Sequence, residues 1–178
     1  IKILNGKVGS KHPIHPNDHV NLSQSSNDTF PTIMHIAANE LTDSKLIPAI
    51  KKLISELKLK TKAYSKTIKI GRTHTQDATP LTMGDEFSGY LHQIERNFER
   101  IKLSKKELHY LAQGGTAVGS GINAPKNFDK IFCKFLNKFT KNKYKPAKNK
   151  FEAIATHDSL VYFSSSLNTL AVSLLKIL

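Results

Sequence analysis

Apolar residues recur at helical spacing through most of the chain. Leu46, Ile47, Ile50, Leu53, Ile54 and Leu57 fall on one stripe and predict a helix over 46–67. Phe87, Leu91, Ile94, Phe98, Ile101 and Leu108 keep four-three heptad spacing, with Lys105 as the polar miss. That run predicts a helix over 82–113 whose seam belongs to a bundle. Before these, "TIMHIAANEL" predicts a helix starting near Asp28 or Thr29 and running to about Asp43, with Pro31 in its first turn. A further helix is expected over 127–141. A last one is expected from Phe151 to the chain end, its apolar set including Leu160, Phe163, Leu167, Leu170, Leu174 and Leu178. No strand pattern and no fixed-period repeat stands out. Residues 1–26, broken by Gly6, Gly9, Pro13 and Pro16, predict an extended or looped approach. The pattern therefore predicts an all-α fold of long helices joined by polar, glycine-bearing loops.

Composition narrows this picture. The chain has 178 residues, of which 39% are hydrophobic, enough to bury a core. No run approaches eighteen uninterrupted apolar residues, so no membrane span is expected, and "IKILNGKVGS" lacks signal-peptide architecture. The chain starts without Met and stops inside an apolar pattern, so it is expected to be a piece of a longer protein. Cys133 is the single cysteine, which excludes an internal disulfide and fits a reducing compartment. Its apolar setting, "KIFCKFL", favours a structural thiol. The formal net charge of +13 raises nucleic acid as a partner. Against that, the Lys residues are spread along helix faces, Arg occurs only at 72, 96 and 100, and no nucleic-acid motif is present.

Candidate chemistry lies in the loops. "SQSSNDTFPT" crowds Ser25, Ser26 and Asn27 at a helix start, where free N–H groups and the helix dipole favour a carboxylate or phosphate. A plain N-cap by Asn27, Asp28 or Thr29 explains the same residues locally. "GRTHTQDATPLTMG" gathers Arg72, Thr73, His74, Thr75 and Gln76, donors around one imidazole able to move a proton near neutrality. A loop histidine with a structural hydrogen bond is the plain alternative. Gly114–Gly121 lacks the Lys-Ser/Thr ending of a phosphate loop and predicts tight turn geometry instead. His12, His15, Asp18 and His19 match no common metal-ligand spacing.

Four blocks occur in order: "HPNDHVNLSQSSNDTFPT", "IKIGRTHTQDATPLTMG", "GGTAVGSGIN" and "NKFEAIATHD". Together they closely resemble the class II fumarate hydratases of the fumarase/aspartase superfamily, over essentially the whole chain. The resemblance implies an all-α, long-helix bundle of the fumarase/aspartase (L-aspartase-like) type, with residues 1–26 closing an N-terminal domain and 27–178 forming the central one. It implies reversible hydration of fumarate to L-malate in the tricarboxylic acid cycle, with no metal and no cofactor. It places the enzyme in the cytoplasm, or in the mitochondrial matrix of a eukaryote, and implies neither nucleic-acid nor membrane partners. Ser25, Ser26 and Asn27 match residues that hold a substrate carboxylate. Thr73 and His74 match the second active-site segment, in which His74 corresponds to the histidine that transfers a proton or holds the catalytic water. His15, Pro16, Asn17 and Asp18 match a second, weaker dicarboxylate site, although His12 stands where a basic side chain is usual.

The family is a homotetramer whose active sites each draw on three subunits. Its third signature, a mobile loop carrying the base serine, has no counterpart in this chain, and neither has an upstream Ser-Gly-Thr contact. The 178-residue chain alone is therefore expected to be inactive. Aspartate ammonia-lyase is the alternative enzyme, but it typically has Gln at the place of His74 and Ser-Thr-Asn at the place of Ser25-Ser26-Asn27. Argininosuccinate and adenylosuccinate lyases fit the loops worse. A non-catalytic helical remnant is the alternative outside enzymes.

Overall fold

The structure is a computed structural model and describes residues 1–178. The chain forms two compact units, one of residues 1–37 and 108–158, the other of 38–107 and 159–178. The elements are α1 (Ser26–Leu41), α2 (Ile47–Ala63), β1 (Ile68–Thr73), β2 (Gln76–Thr82), α3 (Met83–Lys105), β3 (Tyr110–Leu111), α4 (Phe128–Thr140), β4 (Lys145–Pro146), α5 (Lys150–Ala155) and α6 (Asp158–Ile177).

In the second unit α2 packs on α3, and α3 is the longest helix at 23 residues. The α3 start is fixed by a reciprocal capping box. The Asp85 N–H donates to Thr82 Oγ1 at 3.0 Å and the Thr82 N–H donates to Asp85 Oδ2 at 2.9 Å. The Thr82 N–H first, and then the Thr82 hydroxyl donating at 2.8 Å, hold the Asp85 carboxyl pKa below its usual value. Ile94 and Ile101 of the heptad seam are buried, and so are Asn97 and Ser104. Asn97 Nδ2 donates to Ser173 Oγ at 2.7 Å, and the Ser104 and Ser166 hydroxyls share a bond of 2.9 Å. Polar pairs inside an apolar seam favour this register of α3 against α6, because a slip by one turn would break both side-chain bonds and leave each group only its bond to a carbonyl of its own helix. Lys105, the polar miss in the heptads, places its ammonium 2.7 Å from Asp43 Oδ1 with only 13% of its side chain exposed.

α6, at 20 residues, is long and apolar enough, by length and composition alone, to cross a membrane. The serine pairs and buried Phe163 and Leu170 show it acting as a bundle helix.

Several sequence expectations shift. α1 begins at Ser26, so Pro31 falls in the second turn and deprives the Asn27 carbonyl of its usual i→i−4 donor. Between α1 and α2 the backbone widens to an i→i+5 turn over Thr42–Leu46 instead of breaking. α3 stops at Lys105 and gives way to a tighter turn over Lys106–His109. The expected C-terminal helix is two helices, α5 and α6, parted where Thr156 turns extended at φ −131° and ψ 163°. The largest difference is 68–82, read as a loop, which forms an antiparallel hairpin. The helical class holds, and the hairpin is its one sizeable exception.

In the first unit Leu111, Cys133 and Tyr144 form a small core packed against Ile36, Phe132 and Leu136. Burial is the largest influence on the Cys133 thiol and pushes its pKa up to about 11; the charge of Asp129 adds to this and Lys150 opposes it. A thiol held protonated in a core is a poor nucleophile. Cys133 should therefore react with a disulfide reagent about two orders of magnitude more slowly in the folded protein than in denaturant. Equal rates would show that this core opens readily.

Candidate functional site

The start of α1 is pinned by a single buried carboxylate. Ser25 is the capping residue, its Oγ accepting from the Asn27 N–H at 3.2 Å. Asp28 Oδ1 accepts from the Ser25 N–H at 2.9 Å. Asp28 is wholly buried, and its Oδ2 accepts from the N–H groups of Gly114 at 3.0 Å and Thr116 at 2.9 Å, and from Gln113 Nε2 at 3.4 Å. Asn27 Nδ2 donates to the Ala117 carbonyl at 2.8 Å, a second tie to the same turn. The cap is therefore neither Asn27 nor Thr29. Asp28 works from inside the helix, as the partner of Ser25. Capping thus uses Ser25 and Asp28, and leaves Ser26 and Asn27 exposed with donor capacity to spare.

Ser26 and Asn27 line a cavity of about 380 Å³ with Phe30, Pro31, Ile154 and His157. His157 stands at the break between α5 and α6 and was not singled out by sequence, although the block "NKFEAIATHD" contains it. Its charge adds to the burial that lowers the pKa of neighbouring His35, against the opposing bond from His35 Nδ1 to the Tyr110 carbonyl at 3.0 Å.

The glycines of the 114–121 turn have the geometric role expected of them. Gly114 and Gly119 adopt φ of 93° and 112°, and a Cβ on Gly119 would lie 2.7 Å from the Phe151 backbone. Thr116 is the exception in this turn. It is β-branched at φ 56°, its side chain is 4% exposed, and its Oγ1 is buried without a hydrogen-bond partner.

Thr73 and His74 belong to the other unit, at the tip of the β1–β2 hairpin. Thr73 pairs with Gln76, so His74 and Thr75 form the two-residue turn, at φ 51° and 64°. A turn with positive φ at both central residues is the one that matches strand twist, and Asn-Gly is its ordinary occupant. A histidine and a β-branched threonine there store strain. The result is an exposed imidazole at the tip of a ribbon, flanked by Thr73 and by Arg72, whose guanidinium lies 3.9 Å from Asp77. The expected donor cluster therefore exists as a projecting finger and not as a loop.

His15, Pro16, Asn17 and Asp18 come together at a wide turn over Pro16–Val20. His15 Nδ1 accepts from the N–H groups of Asn17 at 3.2 Å and Asp18 at 3.1 Å. Asp18 Oδ2 also lies 3.2 Å from that nitrogen, but a nitrogen accepting two N–H bonds carries no proton to share. The ring proton is thus on Nε2, and the Asp18 contact is not an ion pair. The His15 N–H donates to His19 Nδ1 at 2.9 Å, so both imidazoles serve the turn.

The sequence matches a family model described as lyase over residues 1–178. It is 58% identical over 174 residues to a class II fumarate hydratase of Rickettsia bellii, covering 98% of this chain and 38% of that protein. A mitochondrial fumarate hydratase of Saccharomyces cerevisiae is 54% identical over 177 residues, covering 99% of this chain and 36% of that one. Among solved structures, a recombinant class II fumarase from Schistosoma mansoni matches with a TM-score of 0.95 at 41% identity, over 99% of this chain and 40% of its own. A fumarate lyase:delta crystallin from Brucella melitensis matches with a TM-score of 0.92 at 34% identity, over 99% and 38%. The chain thus spans well under half the length of the relatives it matches.

Proposed function

This chain belongs to the lyase family, and from that membership we propose that the protein carrying it is a fumarate hydratase, interconverting fumarate and L-malate. The observation that supports this best is the start of α1, where capping by Ser25 and Asp28 leaves Ser26 and Asn27 as neutral donors beside a helix N-terminus. Its long-helix bundle is of the fumarase/aspartase type.

The chemistry explains why neutral donors suit the task. Moving a proton at the carbon beside a carboxylate passes through an aci-carboxylate, which puts further negative charge on oxygens already ionised. Preorganised hydroxyl and amide donors aimed at those oxygens stabilise that state more than the substrate. In this reading Ser25, Ser26, Asn27 and the N-terminus of α1 hold one carboxylate. Thr73 orients the substrate, and His74 transfers a proton or holds the water at the neighbouring carbon. His15, Pro16, Asn17 and Asp18 form a second dicarboxylate site, in a turn whose shape the His15 imidazole holds by accepting from the Asn17 and Asp18 N–H groups.

The protein acts as a homotetramer in the cytoplasm or mitochondrial matrix, with residues 27–178 as its central helical domain. Each site combines segments from three copies, so Ser25–Asn27 and His74 act on one substrate without having to meet in one chain.

The test is product identity in the protein as encoded by its gene. Fumarate with water should yield L-malate, and fumarate with ammonia should yield no aspartate. The 178-residue chain alone should form neither product. Aspartate formation would make the protein an ammonia-lyase. Full turnover by the isolated chain would overturn the shared-site arrangement.

A further inference from the structure

The cavity of about 380 Å³ at the start of α1 has an apolar wall of Phe30, Pro31 and Ile154 and three polar side chains, Ser26, Asn27 and His157. Its size suits a four-carbon dicarboxylate, whose carbon chain would lie along the apolar wall. All three polar residues are exposed, so each can reach a molecule in the cavity. Each also keeps bonding capacity that the chain does not use. The Ser26 hydroxyl has no partner in the chain. Asn27 Nδ2 gives one N–H to the Ala117 carbonyl at 2.8 Å and keeps the other. Neither ring nitrogen of His157 is bonded. No acidic side chain lines the cavity, so an imidazole N–H there has no carboxylate of this chain to serve.

The direction of the His157 ring follows from α1. Asn27, Pro31 and His35 are spaced four apart and share one face of that helix, with side chains leaning towards its N-terminus. The charge of His157 acts on His35, and His157 lines the cavity together with Asn27 and Pro31. Its imidazole therefore stands over this stripe, on the side where Asn27 lies. His157 belongs to neither helix at the α5–α6 break, and an exposed ring without a bond contributes little to the fold.

We propose that His157 is a substrate-contacting residue, whose ring N–H donates to the carboxylate that Ser26 and Asn27 hold. This rests on the fumarate hydratase reading above and adds a third side-chain donor to it. An imidazole offers an N–H in either protonation state, one when neutral and two when charged. Negative charge on that carboxylate grows as the proton moves at the neighbouring carbon, so the contact strengthens towards the transition state.

The experiment uses the protein as encoded by its gene, with His157→Leu and His157→Gln variants. The readouts are the dissociation constant of succinate by calorimetry, kcat/KM for fumarate, and Tm. Losing a donor to a charged group should weaken succinate binding about 10- to 100-fold in His157→Leu, and kcat/KM should fall by at least that factor. His157→Gln keeps an N–H donor of similar reach and should stay within about fivefold of the parent. The Tm of both variants should match the parent's, since no bond within the chain is lost. Unchanged succinate affinity in His157→Leu overturns the proposal. Equal weakening in the two variants also overturns it, because a lost donor would then not be the cause. If the parent hydrates no fumarate, the enzymatic reading fails separately. Succinate binding that weakens in His157→Leu and is kept in His157→Gln then still supports the contact, and a parent that binds no succinate overturns it.

Discussion

Replacing His74 by asparagine should lower kcat for fumarate hydration by about 10²- to 10⁴-fold, the usual contribution of a positioned acid–base group. KM should move far less, because in the proposed site Ser25–Asn27, and not the His74 imidazole, hold the carboxylate. The same substitution should leave the fold intact and raise thermal stability slightly. His74 is the first central residue of a tight hairpin turn at φ 51°, a place where asparagine is preferred. Stability and activity therefore move in opposite directions, which separates a catalytic role from a structural one. A histidine that served the turn alone would give the reverse, a lower Tm with kcat within a few-fold of the parent. Steady-state kinetics of the whole enzyme beside a thermal melt of the same preparation decides between them.

The long helices were legible because burial of one face imposes a period, and that period survives in Ile94, Ile101, Phe163 and Leu170. Bundle class and loop positions follow from it. The hairpin was not legible because its signals coincide with those of a broken loop. Gly71 and Pro80 read as breakers. In a two-stranded ribbon every residue is at an edge, so Pro80 pairs with Ile70 without loss, and Gly71 faces the extra residue on β2, where a Cβ would lie 2.6 Å from the Thr79 carbonyl. The break between α5 and α6 was hidden for another reason. Thr156 and His157 interrupt the backbone between two apolar runs of similar spacing, and nothing in the pattern marks the change of direction.

At the site, the crowding of Ser25, Ser26 and Asn27 was visible, but the division of labour among them was not. It depends on contacts with residues 113–117, which lie 85 to 90 positions further along the chain. Asp28 looked like one cap among several candidates. Its role comes from long-range hydrogen bonds, which leave no local period.

Asp28 carries the second large prediction. Its carboxylate accepts from three backbone N–H groups, those of Ser25, Gly114 and Thr116, in a setting closed to water. Asn in its place turns one oxygen into an NH₂ group. Whichever way that amide is oriented, donors then face donors, and buried N–H groups are left unpaired. Two such groups, each costing about 1–3 kcal/mol, put Asp28→Asn at roughly 3–5 kcal/mol of lost stability. Asp129→Asn is the matched control. That carboxylate is pushed up by burial but brought down overall by Lys150, whose ammonium lies 2.6 Å away, and by the Lys130 N–H. It is 21% exposed beside a Lys150 that is 17% exposed, and its loss should cost about 1–2 kcal/mol, because the ammonium keeps some access to water. Denaturant melts of the two variants should differ accordingly. At a temperature where Asp28→Asn remains folded, its KM for fumarate should also rise, because the tether that orients Ser25 and Asn27 is weakened, while Asp129→Asn keeps the parent value. Equal destabilisation by the two, or an unchanged KM in Asp28→Asn, would mean that the start of α1 is organised by its own helix and not by the distant turn it binds.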